Sequence, residues 1–348
     1  MAKRVMVTGC SGYLGEILVR SLLSHPLVQK VVAVDLKPPK LPPRPKFKHC
    51  GADIRDEFLL RSIIEEEGID TIFHLAFMEA DPNRAVLSHA MNVGGTLTVF
   101  DAANRSAGVS KLIITSSTWA YGARRGNPVP LRESDRLRAM DWPYGLHKRL
   151  VEEELAKSLP GARRGLHVAV LRLATVVGGS ERPRGPVRLF CEAPFGVSVL
   201  LRPGELQFLS ENDFCRTMSR AMEEASFSGT YNVAPDGWTT VSALCRRLGK
   251  PRVPVPYSVL WPLCFFAKRL RSRSAVSEDL AEMLAFPVVA SNEKIKKALG
   301  LVFEKDSETA FLEGAASCGW HPSDEGPSGL PAARRRQEPA DRPASKTR

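Results

Sequence analysis

Short apolar runs alternate with stretches whose apolar residues recur every three or four positions through the first half of the chain. The runs Arg4–Thr8, Val31–Asp35, Thr71–Leu75, Leu112–Ser116 and Val168–Leu173 read as strands. Leu14–Leu23 has apolar residues at 14, 17, 18 and 22, the spacing of an amphipathic helix. Gly94–Ala103 and Pro143–Leu159 read as helices in the same way. Strands that alternate with helices predict an α/β fold, with a doubly wound parallel sheet covered on both faces.

Beyond about residue 175 the pattern loosens. Gly178 to Gly204 is rich in Gly, Pro and Arg and reads as long loops. Asn212–Ala225 reads as a helix and Thr230–Ala234 as a strand able to rejoin the main domain. The expected division is a larger α/β domain over 1–176, a smaller lobe over 177–321 and a disordered basic tail over 322–348. Val253 to Ala267 is strongly apolar, interrupted by Pro254, Pro256 and Pro262, and followed by Lys268, Arg269, Arg271 and Arg273. It is too short to span a bilayer. It reads as buried core or pocket wall, or as a surface patch over 253–273 touching anionic lipid weakly.

Composition narrows the partners. The 348 residues carry a formal net charge of +11, but the arginines are scattered rather than gathered into a stripe with aromatics. A phosphate-bearing small ligand is favoured over nucleic acid. The seven cysteines form no CxxC pair, so no zinc site or disulfide framework is expected, and no metal. A reducing, cytoplasmic compartment fits, as does an N-terminus without a signal-peptide core.

Two motifs carry chemistry. Gly9, Gly12 and Gly15 leave one strand and open a helix. A turn of this kind needs residues without Cβ for its tight bend, for approach of a pyrophosphate and for helix–strand packing. The helix N-terminus adds N–H groups and partial positive charge. Asp35 ends the next strand, where a carboxylate can accept from both ribose hydroxyls and would repel a 2′-phosphate. NAD is therefore expected in preference to NADP, and the first domain is a Rossmann domain.

Tyr144 and Lys148 lie four apart on a helix and share a face. Tyrosine, with a pKa near 10, is a poor base at neutral pH. A neighbouring ammonium is expected to favour phenolate, which can take a hydroxyl proton as hydride leaves the same carbon. Ser116-Ser117-Thr118 sits at the C-terminal end of a predicted strand, where a hydroxyl can hold the substrate oxygen.

The ordered series TGCSGYLG, VDL (34–36), GADIRD (51–56), HLA (74–76), NVGGT (92–96), SSTWAYG (116–122) and YGLHK (144–148) resembles the extended short-chain dehydrogenases/reductases, the NAD-dependent epimerase/dehydratase family. The resemblance is close over about 3–180 and looser over 181–315. It implies that Gly9, Gly12 and Gly15 bind pyrophosphate, with Tyr13 and Leu14 in the same turn. It also implies that Asp35 holds ribose, Asp53 and Ile54 lie near adenine, Leu75 and Ala76 line the cofactor path, and Asn92 packs beside it. Ser117, Tyr144 and Lys148 would form the catalytic triad, with Tyr144 and Lys148 also against the cofactor. His74 matches a position of strand packing. The dehydratase branch has an acidic pair where this chain has Ser117-Thr118, which argues against dehydration. Thr175 stands where many sugar-nucleotide epimerases have Asn, and Gln207–Asp213 is similar to a segment that organises the pocket.

The expected function is NAD-dependent oxidation or epimerisation at a hydroxyl or keto carbon of a small molecule, a nucleotide sugar first. Arg182, Arg184, Arg188 and Arg202 suit its diphosphate. The alternative is a 3β-hydroxysteroid-type or other lipid alcohol, motivated by the apolar 253–267 stretch. A lesser alternative is a non-catalytic NAD-binding scaffold. The resemblance implies a homodimer.

Overall fold

A computed structural model of the chain describes residues 2–42, 44–78, 84–140, 142–180, 185–270 and 278–320. The expected tail over 322–348, like Arg182 and Arg184, lies outside the described residues.

Strands β1 (Lys3–Thr8), β2 (Val28–Val34), β3 (Phe47–Cys50), β4 (Thr71–His74), β5 (Lys111–Ser117) and β6 (His167–Leu173) build the sheet with helices α1 (Tyr13–Leu23), α2 (Glu57–Glu66), α3 (Ala85–His89), α4 (Gly95–Arg105) and α5 (Pro143–Ser158) between them. The short β7 (Thr175–Val177) follows, then α6 (Gly185–Glu192), β8 (Gly196–Val199), β9 (Glu205–Leu206), β10 (Phe208–Ser210) and α7 (Glu211–Glu223). β11 (Gly229–Val233), β12 (Thr239–Thr240), α8 (Val241–Arg247), β13 (Arg252–Val255), α9 (Tyr257–Leu270), α10 (Glu278–Ala285), α11 (Glu293–Leu299) and α12 (Ser307–Ala316) complete the described chain.

Seven parallel strands form one sheet in the order β11-β6-β5-β4-β1-β2-β3. Alternation along each strand sends residues to opposite faces. Val5, Val7, Val31, Ala33, Phe73 and Ile113 join one core with residues of α1 and α7. Met6, Val32, Val34, Ile72, Leu112 and Ile114 join the other with residues of α2, α4 and α5. The strand at 229–233, foreseen from its pattern, pairs with β6 from Gly229↔Ala169 to Val233↔Leu173. The chain beyond 177 thus returns to the edge of the sheet through β11.

Three local expectations change. The short strand β3 and helix α2 went unread, because neither has a long enough period to stand out. The region 178–204, read as loop, contains α6 and β8; Val187, Phe190 and Cys191 pack there against a core that includes Phe208 and Phe311. The prolines of 253–267 do not prevent structure. Pro254 sits in the two-stranded β8–β13 pair, Pro256 precedes α9, and Pro262 lies inside that helix. An edge strand and a helix start tolerate a missing N–H, and tertiary packing offsets the one lost inside the helix. All seven cysteines are free thiols.

Candidate active site

Strand order reverses between β1 and its neighbour β4, which opens a crevice at the carboxyl ends of these strands. The glycine turn lies there. Gly9 has φ +73°, and a Cβ on it would lie 2.5 Å from the Ala76 backbone. A Cβ on Gly15 would lie 2.1 Å from the Gly9 carbonyl oxygen. Gly12 differs: a Cβ there meets nothing nearer than 3.4 Å, so its missing side chain leaves space above the turn. Gly12 is also the N-cap of α1 and provides no side-chain cap. A turn crowded below and open above, at an uncapped helix start, fits a pyrophosphate.

Around the turn, Asp35 Oδ2 accepts from Ser11 N at 3.1 Å and Ser11 Oγ at 2.7 Å, which fixes its carboxylate beside the glycines. Leu75 N donates to the Thr8 carbonyl, placing Leu75 and Ala76 along the crevice. Leu14 packs at the edge of the core below. Tyr13 points away to the lobe, donating its hydroxyl to Glu211 Oε1 at 2.6 Å. Asp53 is held by Arg55 at 2.6 Å, and Arg55 holds its carboxyl below the usual range. Ile54 is buried against Gly95, where a Cβ would lie 2.5 Å from its Cδ1.

The β4 end is clamped from beneath. His74 Nδ1 meets Thr8 Oγ1 at 2.7 Å and its Nε2 meets Thr96 Oγ1 at 2.9 Å. Burial lowers its pKa to about 3, so the ring is neutral and ties β1, β4 and α4 together, as strand packing demands. Asn92 Oδ1 accepts from Met78 N at 2.7 Å, and its Nδ2 donates to the Met78 carbonyl at 2.9 Å. Asn92 therefore holds the segment after Ala76 in place.

Ser117 ends β5, and Pro143 starts α5 at a position where its absent N–H costs nothing. Together these elements bring Tyr144 and Ser117 within hydrogen-bonding reach. Ser117 Oγ also accepts from Trp119 N at 3.2 Å. Lys148, one turn along α5, is buried and donates Nζ to the Thr115 carbonyl at 2.7 Å. The same Nζ lies 3.8 Å from the Phe77 ring centre and 5.9 Å from that of Tyr144.

These positions correct one electrostatic expectation. Burial pushes the Tyr144 phenol up, and the Ser117 hydrogen bond opposes that rise. Lys148 is itself lowered to about 7 by burial, with the Glu152 carboxylate opposing. The ammonium rests on a backbone carbonyl and an aromatic face, and burial rather than Lys148 governs the phenol.

Sequence reasoning missed the aromatic wall. Tyr144 meets Phe77 edge-on at 5.3 Å and Trp142 at 5.0 Å, and Trp142 meets Trp119 at 5.2 Å. A cleft beside them is lined by Trp119, Ala139, Met140, Trp142, Glu282 and Met283. Trp119 and Trp142 flank the two motifs, so their nearness to the hydroxyl run and the tyrosine was the available signal. Also unread was a buried network in which Arg172 Nη2 pairs with Glu152 Oε2 at 2.8 Å and Arg172 Nη1 donates to Tyr121 Oη at 2.7 Å. Thr175 Oγ1 accepts from Trp119 Nε1 at 3.2 Å. Gln207 bridges Pro235, Gly237 and Ala290 carbonyls, consistent with a role in organising the lobe. Arg188 is paired with Glu192, and Arg202 lies over the Phe286 ring. Among the described residues no group of His, Cys, Asp or Glu could hold a metal ion.

A parallel sheet with a glycine-lined crevice at the reversal of strand order defines a dinucleotide-binding class of fold. Residues 5–234 match the NAD dependent epimerase/dehydratase family, and the chain belongs to it, as an NAD-dependent enzyme of the extended short-chain dehydrogenase/reductase type. An uncharacterized protein of Mycobacterium tuberculosis is 27% identical over 86% of this chain and 79% of its own. A UDP-glucose 4-epimerase of Neisseria meningitidis is 29% identical over 68% of this chain and 67% of its own. In fold, the Bordetella bronchiseptica enzyme WbmG in complex with NAD superposes with a TM-score of 0.70 at 21% identity, covering 92% of this chain and 94% of that one. Among the described residues no helix is long and apolar enough to cross a membrane.

Proposed function

We propose that this enzyme oxidises and re-reduces, or simply oxidises, a hydroxyl-bearing carbon of a nucleotide sugar. The observation that carries the reading is the gathering of Ser117, at the end of β5, with Tyr144 and Lys148, one turn apart on α5, beside the glycine-lined crevice. The UDP-glucose 4-epimerase relatives support the substrate class.

In this reading residues 1–176 hold NAD, and much of 177–321 receives substrate. The turn of Gly9, Gly12 and Gly15, with the backbone of Tyr13 and Leu14 behind it, faces the pyrophosphate; Asp35 accepts from ribose; Asp53 and Ile54 border adenine; Leu75, Ala76 and Asn92 shape the path. NAD, when bound, supplies a hydride acceptor and a positive ring that favours phenolate. Ser117 Oγ holds the substrate oxygen. Tyr144 Oη takes its proton, and returns it if the keto intermediate is reduced again. Lys148 holds the nicotinamide ribose and keeps positive charge near the phenol. Hydroxyls at Ser117-Thr118 leave no carboxylate there for elimination of water.

The test is Tyr144→Phe. Turnover is expected to fall by roughly 100-fold or more, with NAD binding by calorimetry within a few-fold of wild type. Persistent turnover removes Tyr144 as the base. Substrates are to be compared as UDP-sugars and sterols side by side, following both NADH absorbance and product epimers. Sterol oxidation without sugar turnover would instead establish a lipid alcohol as the substrate.

A further inference from the structure

The lobe has an exposed apolar flank. On one side of α9, Leu260 and Cys264 pack with Val199, Ala281 and Ala285. On another face Val259, Leu263 and Phe266, spaced by four and three residues, are 47%, 61% and 59% exposed. Trp261, stacked on Phe265 at 5.4 Å, is partly exposed too. The neighbouring turn presents Leu201, 93% exposed and held at φ +59°, a left-handed conformation that a leucine rarely adopts. That turn adjoins the start of α9. Leu200 N donates to the Val255 carbonyl, Arg202 lies 5.6 Å from the Phe286 ring, and Phe286 meets Tyr257 at 5.5 Å.

Charge on this stretch is one-sided. From Arg252 to Arg273 the sequence has basic residues at 252, 268, 269, 271 and 273 and no acidic residue. Arg252 and Arg202 are exposed. Exposed apolar side chains with exposed Arg202 and Arg252 on the same part of the fold, in a stretch whose sequence is basic, mark an interaction site. We propose that this flank of the lobe docks on an anionic phospholipid surface, with Leu201, Leu263, Phe266 and Trp261 entering the headgroup–acyl boundary. α9, at 14 residues, is about 21 Å long and lies in the interface without crossing it. A second copy is the poorer occupant: a two-fold contact would set the same cationic stretch against itself. The chain's own 322–348 segment is also poor, being basic on balance and without aromatic residues.

The experiment is flotation of the full chain with vesicles of phosphatidylcholine alone or mixed with phosphatidylglycerol. Binding to the mixed vesicles is expected, falling as salt is raised because surface charges are screened. Leu263→Asp with Phe266→Asp is expected to weaken it roughly tenfold or more, while NAD affinity and thermal midpoint stay at wild-type values. Brominated lipid is expected to quench wild-type tryptophan fluorescence and to quench Trp261→Phe less. Equal binding to neutral and mixed vesicles, no flotation at all, or quenching unchanged in Trp261→Phe would overturn the proposal. So would a dimer that the double substitution dissociates, because a second copy would then cover the flank.

Discussion

Lys148 lies where burial of its side chain costs the fold stability. Its usual pKa near 10.5 falls to about 7 because burial penalises the ammonium. Below pH 7 both the folded and unfolded chains carry the proton, and the folded one bears the full penalty of a buried charge. Between about 7 and 10.5 the unfolded chain binds the extra proton, so stability rises with pH. Lys148→Met is therefore expected to be more stable than wild type at pH 6, by on the order of 2 kcal/mol, with the gap closing as pH approaches 10. Thermal melts across that range check the sign; a gap that widens with pH refutes it. Asp35 acts by charge at the other end of the crevice. Asp35→Ala is expected to weaken NAD roughly tenfold and NADP much less, because the variant no longer repels a 2′-phosphate. Titration of both nucleotides decides, and an unchanged NAD:NADP ratio removes Asp35 from this role.

At the scale of elements, the β1–α1 turn and the β5–α5 pair each do one job. The turn brings helix and strand into contact so tight that a Cβ at Gly15 would lie 2.1 Å from a backbone oxygen. Gly15→Ala is expected to destabilise the fold by about 2–3 kcal/mol and to weaken NAD at least tenfold, measured by melts and calorimetry. Gly12→Ala has room within the chain, so it should melt near wild type yet lose NAD. This turn was legible from sequence because it depends on neighbours only a few residues away. The α6 helix was not, because its apolar residues gain meaning only against Phe208 and Phe311, more than 15 residues downstream.

Across the whole molecule, the Arg172–Glu152 pair joins β6 to α5, and Tyr121 extends it to Asn232 on β11 at 2.8 Å. Ser116 Oγ donates to the same carboxylate at 2.5 Å. β11 and α5 are thus locked through one buried network. Glu152→Ala leaves Arg172 buried without its counter-ion and is expected to cost about 3–5 kcal/mol. It also removes the charge that opposes the fall in the Lys148 pKa. Chemical denaturation tests the first effect, and a near-neutral result would mean that Tyr121 and the Glu133 carbonyl suffice to hold the guanidinium.

The sequence by itself determined the alternating strands, the glycine turn, Asp35 at a strand end and the four-residue spacing of Tyr144 and Lys148. All are local relations, readable because backbone geometry repeats at 2.0 and 3.6 residues. Only the tertiary structure decided where Lys148 rests, that Asn92 clamps Met78, that Trp119 and Trp142 wall the tyrosine, and which face of α9 meets solvent. Each of these depends on contacts between different segments of the chain, and on the removal of water from between them, which no local period encodes.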